Sequence, residues 1–310
     1  MVVVRKWGED HISKSLRQID SNTWLIGGLI LHRSPCPSDG ATWNDDGDYS
    51  SYTLTEAPVP LPPTTPPDSP YIMLVHEAGD ASAVWSIGNS AFCKVRYIEE
   101  GITPESITLD FVQNQQPSFM TPKVIHHAFG NDRSYLFLRR LQGRTLDVAW
   151  PTLNTQWRLH YVNAVVDVCK EMAEWKGHRV GGVDNQNSPE YFLVTPRGSD
   201  NFNSVQAGCE AIGMDCSKPV FYHADLGPGN IIVEDEPTTG DIGIIDFEIA
   251  GYLPRGWIRT KFRLSSGMNL SASASDHPTW WRAEVQKALE AHGFEDHVDA
   301  WMRWRGYGAP

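Results

Sequence analysis

Residues 220–248 read VFYHADLGPGNIIVEDEPTTGDIGIIDFE. A short apolar run, Val220-Phe221-Tyr222, leads to His223 and Asp225. The turn Leu226-Gly227-Pro228-Gly229 ends on Asn230, and Ile231-Ile232-Val233 leaves as a strand. Residues 237–240 (PTTG) are turn formers that reverse the chain, and residues 242–245 return. Such a hairpin places Asn230 and Asp246 side by side, each at the mouth of its strand, with Asp225 across the turn from both. An amide oxygen and a carboxylate are hard ligands suited to Mg²⁺. A neighbouring carboxylate that is not a ligand can accept or orient the proton of an attacking hydroxyl. That is the layout of phosphoryl transfer, in which positioning and charge neutralisation carry the catalysis. From Asp225 to Glu248 there are seven acids and no Lys or Arg. Carboxylates so crowded would repel a triphosphate unless a divalent cation lay between them.

The segments His223-Ala224-Asp225-Leu226-Gly227-Pro228-Gly229-Asn230 and Gly243-Ile244-Ile245-Asp246-Phe247-Glu248 resemble the catalytic and metal motifs of the aminoglycoside phosphotransferase and choline kinase families, small-molecule relatives of protein kinases. The continuation Ile249-Ala250-Gly251-Tyr252-Leu253-Pro254 looks most like fungal phosphotransferase-family proteins. The resemblance implies an α+β, two-lobed protein-kinase-like fold, with a small β-rich N-lobe and a larger, mainly helical C-lobe. It implies Asp225 as the catalytic base or hydroxyl-orienting residue, His223 as a brace for its loop, and Asn230 and Asp246 as Mg²⁺ ligands. Glu248 fits a metal role and a capping or solvated role equally well.

Kinase-like folds hold the nucleotide phosphates with a strand lysine paired to a helix glutamate. Lys94 is the one Lys or Arg in residues 71–95. Glu105 follows Thr103-Pro104, read as an N-cap and a first-turn proline opening a helix to about residue 114. By the resemblance Glu105 pairs with Lys94, with Glu99 and Glu100 as rivals. The loop over the phosphates falls at residues 76–85, where Gly79 and Ser82 are the candidate contacts. It has one glycine where a protein kinase has three, and Asp80 is an awkward neighbour for phosphates. ATP and Mg²⁺ are therefore the expected cofactors, and a small molecule bearing a hydroxyl the expected substrate. The alternative is a kinase-fold protein without phosphotransfer: a metabolite-binding module, or an enzyme turned to other chemistry. A protein kinase fits poorly, since no Ala-Pro-Glu follows Asp246-Phe247-Glu248.

Around this centre the chain divides into three. Residues 1–70 read as an N-terminal extension, whose Asp39, Asp45, Asp46 and Asp48 mark an acidic loop. Residues 58–70 (PVPLPPTTPPDSP) form a polyproline-type connection laid along the body. Residues 71–140 read as the nucleotide-binding N-lobe, with strands at 71–76, 83–87, 92–97 and 136–138. Residues 141–310 read as the C-lobe, with helices near 161–175, 279–292 and 294–304. Five of the twelve tryptophans lie where the acceptor is expected: Trp257, Trp280, Trp281, Trp301 and Trp304. Each reads first as core and second as a stacking surface. The run Arg255 to Arg263 is locally basic, which suits either an acidic group or the neighbouring acidic turn.

The 310 residues carry a net charge of −12 and 41% hydrophobic residues. That balance fits a globular chain and argues against a nucleic-acid clamp or an anionic-membrane binder, which need a basic footprint. No apolar run reaches the ~20 residues of a bilayer span, and Val2-Val3-Val4 is short for a leader core. A cytoplasmic protein without membrane or nucleic-acid partners is expected, and nothing in the sequence points to an oligomeric state. Five cysteines without a CxxC pair match neither a disulfide framework nor a zinc site.

Overall fold

The computed structural model describes residues 10–194 and 204–307. The chain forms two compact units: residues 1–100 with 122–140, and residues 101–121 with 141–310.

The first unit is built from two five-stranded antiparallel sheets. One contains β1 (Leu16–Asp20), β2 (Thr23–Ile26), β3 (Leu29–Ser34), β4 (Trp43–Asp45) and β5 (Ser50–Glu56), in the order β1-β2-β3-β5-β4. The other contains β6 (Ile72–Ala78), β7 (Ser82–Ile87), β8 (Ala91–Tyr97), β9 (Val124–Gly130) and β10 (Arg133–Arg139), in the order β6-β7-β8-β10-β9. Strand side chains alternate between faces, and alternate residues meet in one core. Trp24, Ile26, Leu31, Trp43 and Tyr52 come from the first sheet; Trp85, Ile87, Cys93, Val95, Tyr135 and Phe137 come from the second. Trp43 stacks on Tyr52, with ring centroids 5.1 Å apart, and lies 6.3 Å from Phe137.

Where the sequence reads as an extension, residues 10–56 thus hold a sheet that shares its core with the strands after residue 71. The strands are short and separated by Gly and Asp turns, so no single window shows a clear period of two. The acidic stretch is also more ordered than a loop. Asp45 ends β4, is fully buried, and accepts hydrogen bonds from the Gly47 and Asn89 amides at 3.0 and 2.6 Å. Asn89 lies in the β7–β8 turn, so a first-sheet carboxylate caps a second-sheet turn. Gly88, beside it, has φ +55°. A Cβ there would collide with the Asp45 carboxylate and lie 2.8 Å from the Tyr52 hydroxyl oxygen, so glycine is required twice over.

The proline-rich connection runs along the free edge of β1. Gln18 and Thr65 exchange backbone hydrogen bonds at 2.9 and 2.8 Å, and the Gln18 side chain accepts the Asp68 amide at 2.7 Å. Proline has no N–H to donate, so the segment covers the edge with this single exchange and offers little for further pairing.

The second unit carries helices α1 (Glu105–Asn114), α2 (Leu146–Ala149), α3 (Thr155–Met172), α4 (Val205–Ala211), α5 (Arg255–Leu264), α6 (Trp280–Ala291) and α7 (Val298–Trp304). Short strands β11 (Arg144–Thr145), β13 (Ile231–Val233) and β14 (Ile242–Ile244) form one sheet, and β12 (Val220–His223) pairs with β15 (Ala250–Leu253). The stripe Tyr161, Val162, Val165, Cys169 and Met172 of α3 is buried, as its spacing predicts. Asn154 caps α3 by accepting the Trp157 amide at 2.9 Å. At α1 the cap differs from the sequence reading. Pro104 occupies the N-cap, and the Thr103 hydroxyl donates to Asp184 at 2.6 Å instead. Among the described residues no helix is long and apolar enough to cross a membrane.

Candidate active site

Three of the expected site residues lie in the first unit. Lys94 is buried on β8, opposite Val84 of β7 and Leu136 of β10. Its neighbours Cys93 and Val95 fill the inter-sheet core, so alternation sends Lys94 to the other face of its sheet. Gly79, at φ +56°, makes the β6–β7 turn, where a Cβ would meet open space. Ser82 opens β7, paired with Ala78.

The others, Glu105, His223, Asp225, Asn230 and Asp246, lie in the second unit, tied together by the turn and hairpin. Ile231 pairs with Ile244, and one step further the Ile245 amide donates to the Asn230 carbonyl at 3.0 Å. That register sets Asn230 beside Asp246. The Asn230 amide nitrogen donates to the Asp225 backbone carbonyl at 2.8 Å and to its carboxylate Oδ2 at 3.0 Å. With the nitrogen committed to Asp225, Oδ1 is the Asn230 atom left for a cation. Asp225, Asn230, Asp246 and Glu248 are all half-buried.

Asp246 has φ 66° and ψ 59°. This left-handed conformation is unusual for a residue with a side chain and costs on the order of 1 kcal/mol. It breaks β14 and starts a one-turn 3₁₀ helix, Phe247–Ile249. Glu105, in the first turn of α1, is buried and accepts the Phe247 amide on Oε1 at 3.0 Å. Glu105, Asp246 and Glu248 each offer a carboxylate oxygen within 4.8 Å of the other two. Three converging carboxylates repel one another unless a cation or donors intervene. This donor set, hard and anionic, fits a divalent cation held by oxygen.

His223 is fully buried, with its ring edge-on to Phe247 at 4.8 Å between centroids. Its Nε2 donates to the Ile245 carbonyl at 3.0 Å, and its Nδ1 accepts the Asp225 amide at 3.2 Å. One ring therefore pins β12, the Asp225 turn and the residue preceding Asp246. That arrangement needs the neutral imidazole, one nitrogen donating and the other accepting. Burial lowers the His223 pKa below the ordinary 6.5, although the Asp225 and Asp246 charges pull the other way. The unfolded chain then binds the proton more readily than the folded one. The stability contributed by neutral His223 is complete above pH 6.5 and is lost as pH falls toward the depressed folded value. Denaturation midpoints from pH 8 to 5 should therefore fall more steeply for the wild type than for His223→Gln; parallel curves would remove this role.

Of the other acids in the crowded stretch, one serves the hairpin and three face solvent. Glu234 accepts hydrogen bonds from Thr238, Thr239 and Gly240 across the β13–β14 turn. The Thr238 hydroxyl first, then these amides, lower its pKa to about 2. Asp235, Glu236 and Asp241 are exposed.

The tryptophans resolve toward packing. Trp257, Trp281 and Trp301 are buried, while Trp280 and Trp304 are half-buried. Trp280 and Trp281 both pack on Trp150, at 5.7 Å between centroids. The basic run is likewise engaged within the unit. Arg255 donates to the Gly293 and His292 carbonyls, Arg259 to Gln286, and Arg263 pairs with Asp296. Lys261 is buried against Glu190, donating to both carboxylate oxygens at 2.8 Å. Glu190 also accepts the Trp257 indole N–H and the Phe192 amide, each at 3.0 Å. Glu190 carries no motif, and only its partner's place in a basic run hints at this pair.

No protein-family model matches the sequence, and no curated protein matches it. Solved structures do. The chain is similar to the aminoglycoside phosphotransferase APH(3'')-Id of Streptomyces rimosus, with a TM-score of 0.50 and 15% identity over 74% of this chain and 90% of that one. An aminoglycoside-3'-phosphotransferase of type VIII gives a TM-score of 0.50 and 15% identity, over 75% of this chain and 92% of that one. The likeness is one of fold: an α+β, protein-kinase-like architecture, β-rich in its N-terminal part and helical later.

Proposed function

We propose that the protein is an ATP- and Mg²⁺-dependent phosphotransferase that acts on a hydroxyl of a small molecule, within the aminoglycoside phosphotransferase and choline kinase group. The observation that carries the reading is the linkage of Asp225, Asn230 and His223 at the mouth of the β13–β14 hairpin. Fold likeness to two aminoglycoside phosphotransferases supports it.

In this reading Asp225 orients the acceptor hydroxyl and takes its proton as the oxygen attacks the γ-phosphorus of ATP. The new O–P bond forms as the bond to the ADP oxygen breaks. Asn230 holds the Asp225 carboxylate through its amide nitrogen and leaves its oxygen for the metal. Asp246 supplies the second ligand, and Glu105 steadies the turn after it through the Phe247 amide. Mg²⁺, when bound, neutralises charge on the transferring phosphates. Lys94 binds phosphate oxygens, and Gly79 and Ser82 line the turn that covers them. The region 71–140 is thus the nucleotide-binding part, and 141–310 carries the catalytic turn and the acceptor site.

The test is ³¹P NMR of ATP with the protein, Mg²⁺ and a panel of hydroxylated small molecules that includes aminoglycosides and amino alcohols. The expected result is a new phosphomonoester resonance matched by ADP. ATP that binds yet stays intact with every acceptor would favour a kinase-fold binding protein instead.

A further inference from the structure

Asp80 stands on the β6–β7 turn, one residue after Gly79, where a carboxylate facing nucleotide phosphates would repel them. Its side chain is instead engaged by the N-terminal segment. Oδ1 of Asp80 accepts the Ile12 amide at 2.7 Å and the Tyr97 hydroxyl at 3.4 Å. The His11 ring bridges the same region, with Nε2 3.8 Å from Asp80 and Nδ1 3.2 Å from Glu77.

The segment that makes these contacts is itself fixed. Ile12 is fully buried in the core shared by the two sheets. It opens a 3₁₀ turn, Ile12–Lys14, packed against β7. Arg133, at the start of β10, donates to the Ser15 hydroxyl at 2.7 Å and to the Asp10 carbonyl. Gly79 shapes the turn through its φ of +56°, but a Cβ built there meets no neighbour, so the contacts that tie the turn to the N-terminal segment run through Asp80 and Glu77.

We infer that Asp80 is a positioning residue that docks the β6–β7 turn onto the N-terminal segment, residues 10–15, so that this segment sets the affinity of the protein for nucleotide phosphates. The inference rests on the proposed kinase reading, in which this turn covers the phosphates. It gives residues 10–15 a task in ligand binding beyond filling a core. It also accounts for an acid at a position where charge alone disfavours one: the charge is turned to a backbone donor and held there.

Two measurements on the full chain test it. Without nucleotide, hydrogen exchange at residues 77–82 should quicken in Asp80→Ala and stay near wild type in Asp80→Asn, whose amide oxygen can still accept the Ile12 N–H. With MgATP, Asp80→Ala should raise KM for ATP about tenfold, the loss of one charge-assisted hydrogen bond, with kcat within about twofold; Asp80→Asn should restore most of it. Unchanged exchange in Asp80→Ala overturns the docking. Tighter ATP binding in that variant overturns the inference too, since it would mean Asp80 acts by repulsion. A wild type that binds no MgATP defeats the kinase reading and the nucleotide part of this inference, while the exchange data still decide the docking.

Discussion

Asp225→Asn is expected to reduce phosphotransfer by about 10²- to 10⁴-fold, the range that a positioned general base contributes. MgATP affinity should change little, and so should the melting temperature. The reason lies in which bonds the substitution spares. Asn230 reaches residue 225 through the backbone carbonyl as well as the side chain, and an amide still offers an oxygen to that donor. His223 accepts the backbone amide of residue 225, which the change leaves untouched. Only the ability to take a proton is lost. A variant as active as the wild type would mean that another group receives the proton. A variant that fails to fold, read by circular dichroism, would contradict the sparing of these hydrogen bonds.

Lys261→Ala is expected to destabilise the second unit by about 3–5 kcal/mol, because removing one partner leaves a buried charge uncompensated. Glu190 is 1% exposed, and three donors from two elements lean on its carboxylate: the Trp257 indole and the Lys261 ammonium of α5, and the Phe192 amide. The Lys261 ammonium also sits 4.0 Å from the centre of the Phe192 ring. Replacing both charges together, Glu190→Gln with Lys261→Met, should cost less than Lys261→Ala alone, since no isolated charge remains. Urea denaturation of the three proteins measures this. Equal stability of wild type and Lys261→Ala would show the pair to be solvated in solution.

The turn and hairpin around residues 223–246 are legible in the sequence because their residues are local. His223, Asp225 and Asn230 lie within eight positions, and a β-hairpin with a period of two fixes where Asp246 must return. Side-chain chemistry and spacing then agree on one layout. The same holds for α3, whose buried stripe from Tyr161 to Met172 repeats over about three turns. The first sheet was not legible, because its evidence is non-local. Trp24, Leu31, Trp43 and Tyr52 gain meaning only when packed against Trp85 and Phe137. Asp45 reads as a loop acid until its oxygen is found on the Asn89 amide, 44 residues on. Glu190 and Lys261 are 71 residues apart, and the basic run around Lys261 does not say which acid it meets. Thr103 failed differently: its local capping preference was outcompeted by a tertiary acceptor, Asp184. The seven acids form one run in sequence, yet the geometry divides them between a hairpin cap (Glu234), exposed positions, a carboxylate cluster (Asp246 and Glu248, with Glu105) and the turn acid Asp225.

Isothermal titration calorimetry of the full chain with ATP, with and without Mg²⁺, decides whether these residues form a metal-dependent nucleotide site. One ATP is expected to bind per chain with Mg²⁺ present, weakened at least about tenfold by chelating the metal and again by Asp246→Asn, because cation and carboxylate act together on the phosphates. No heat of binding at millimolar MgATP, or binding of equal strength with the metal removed, would contradict it.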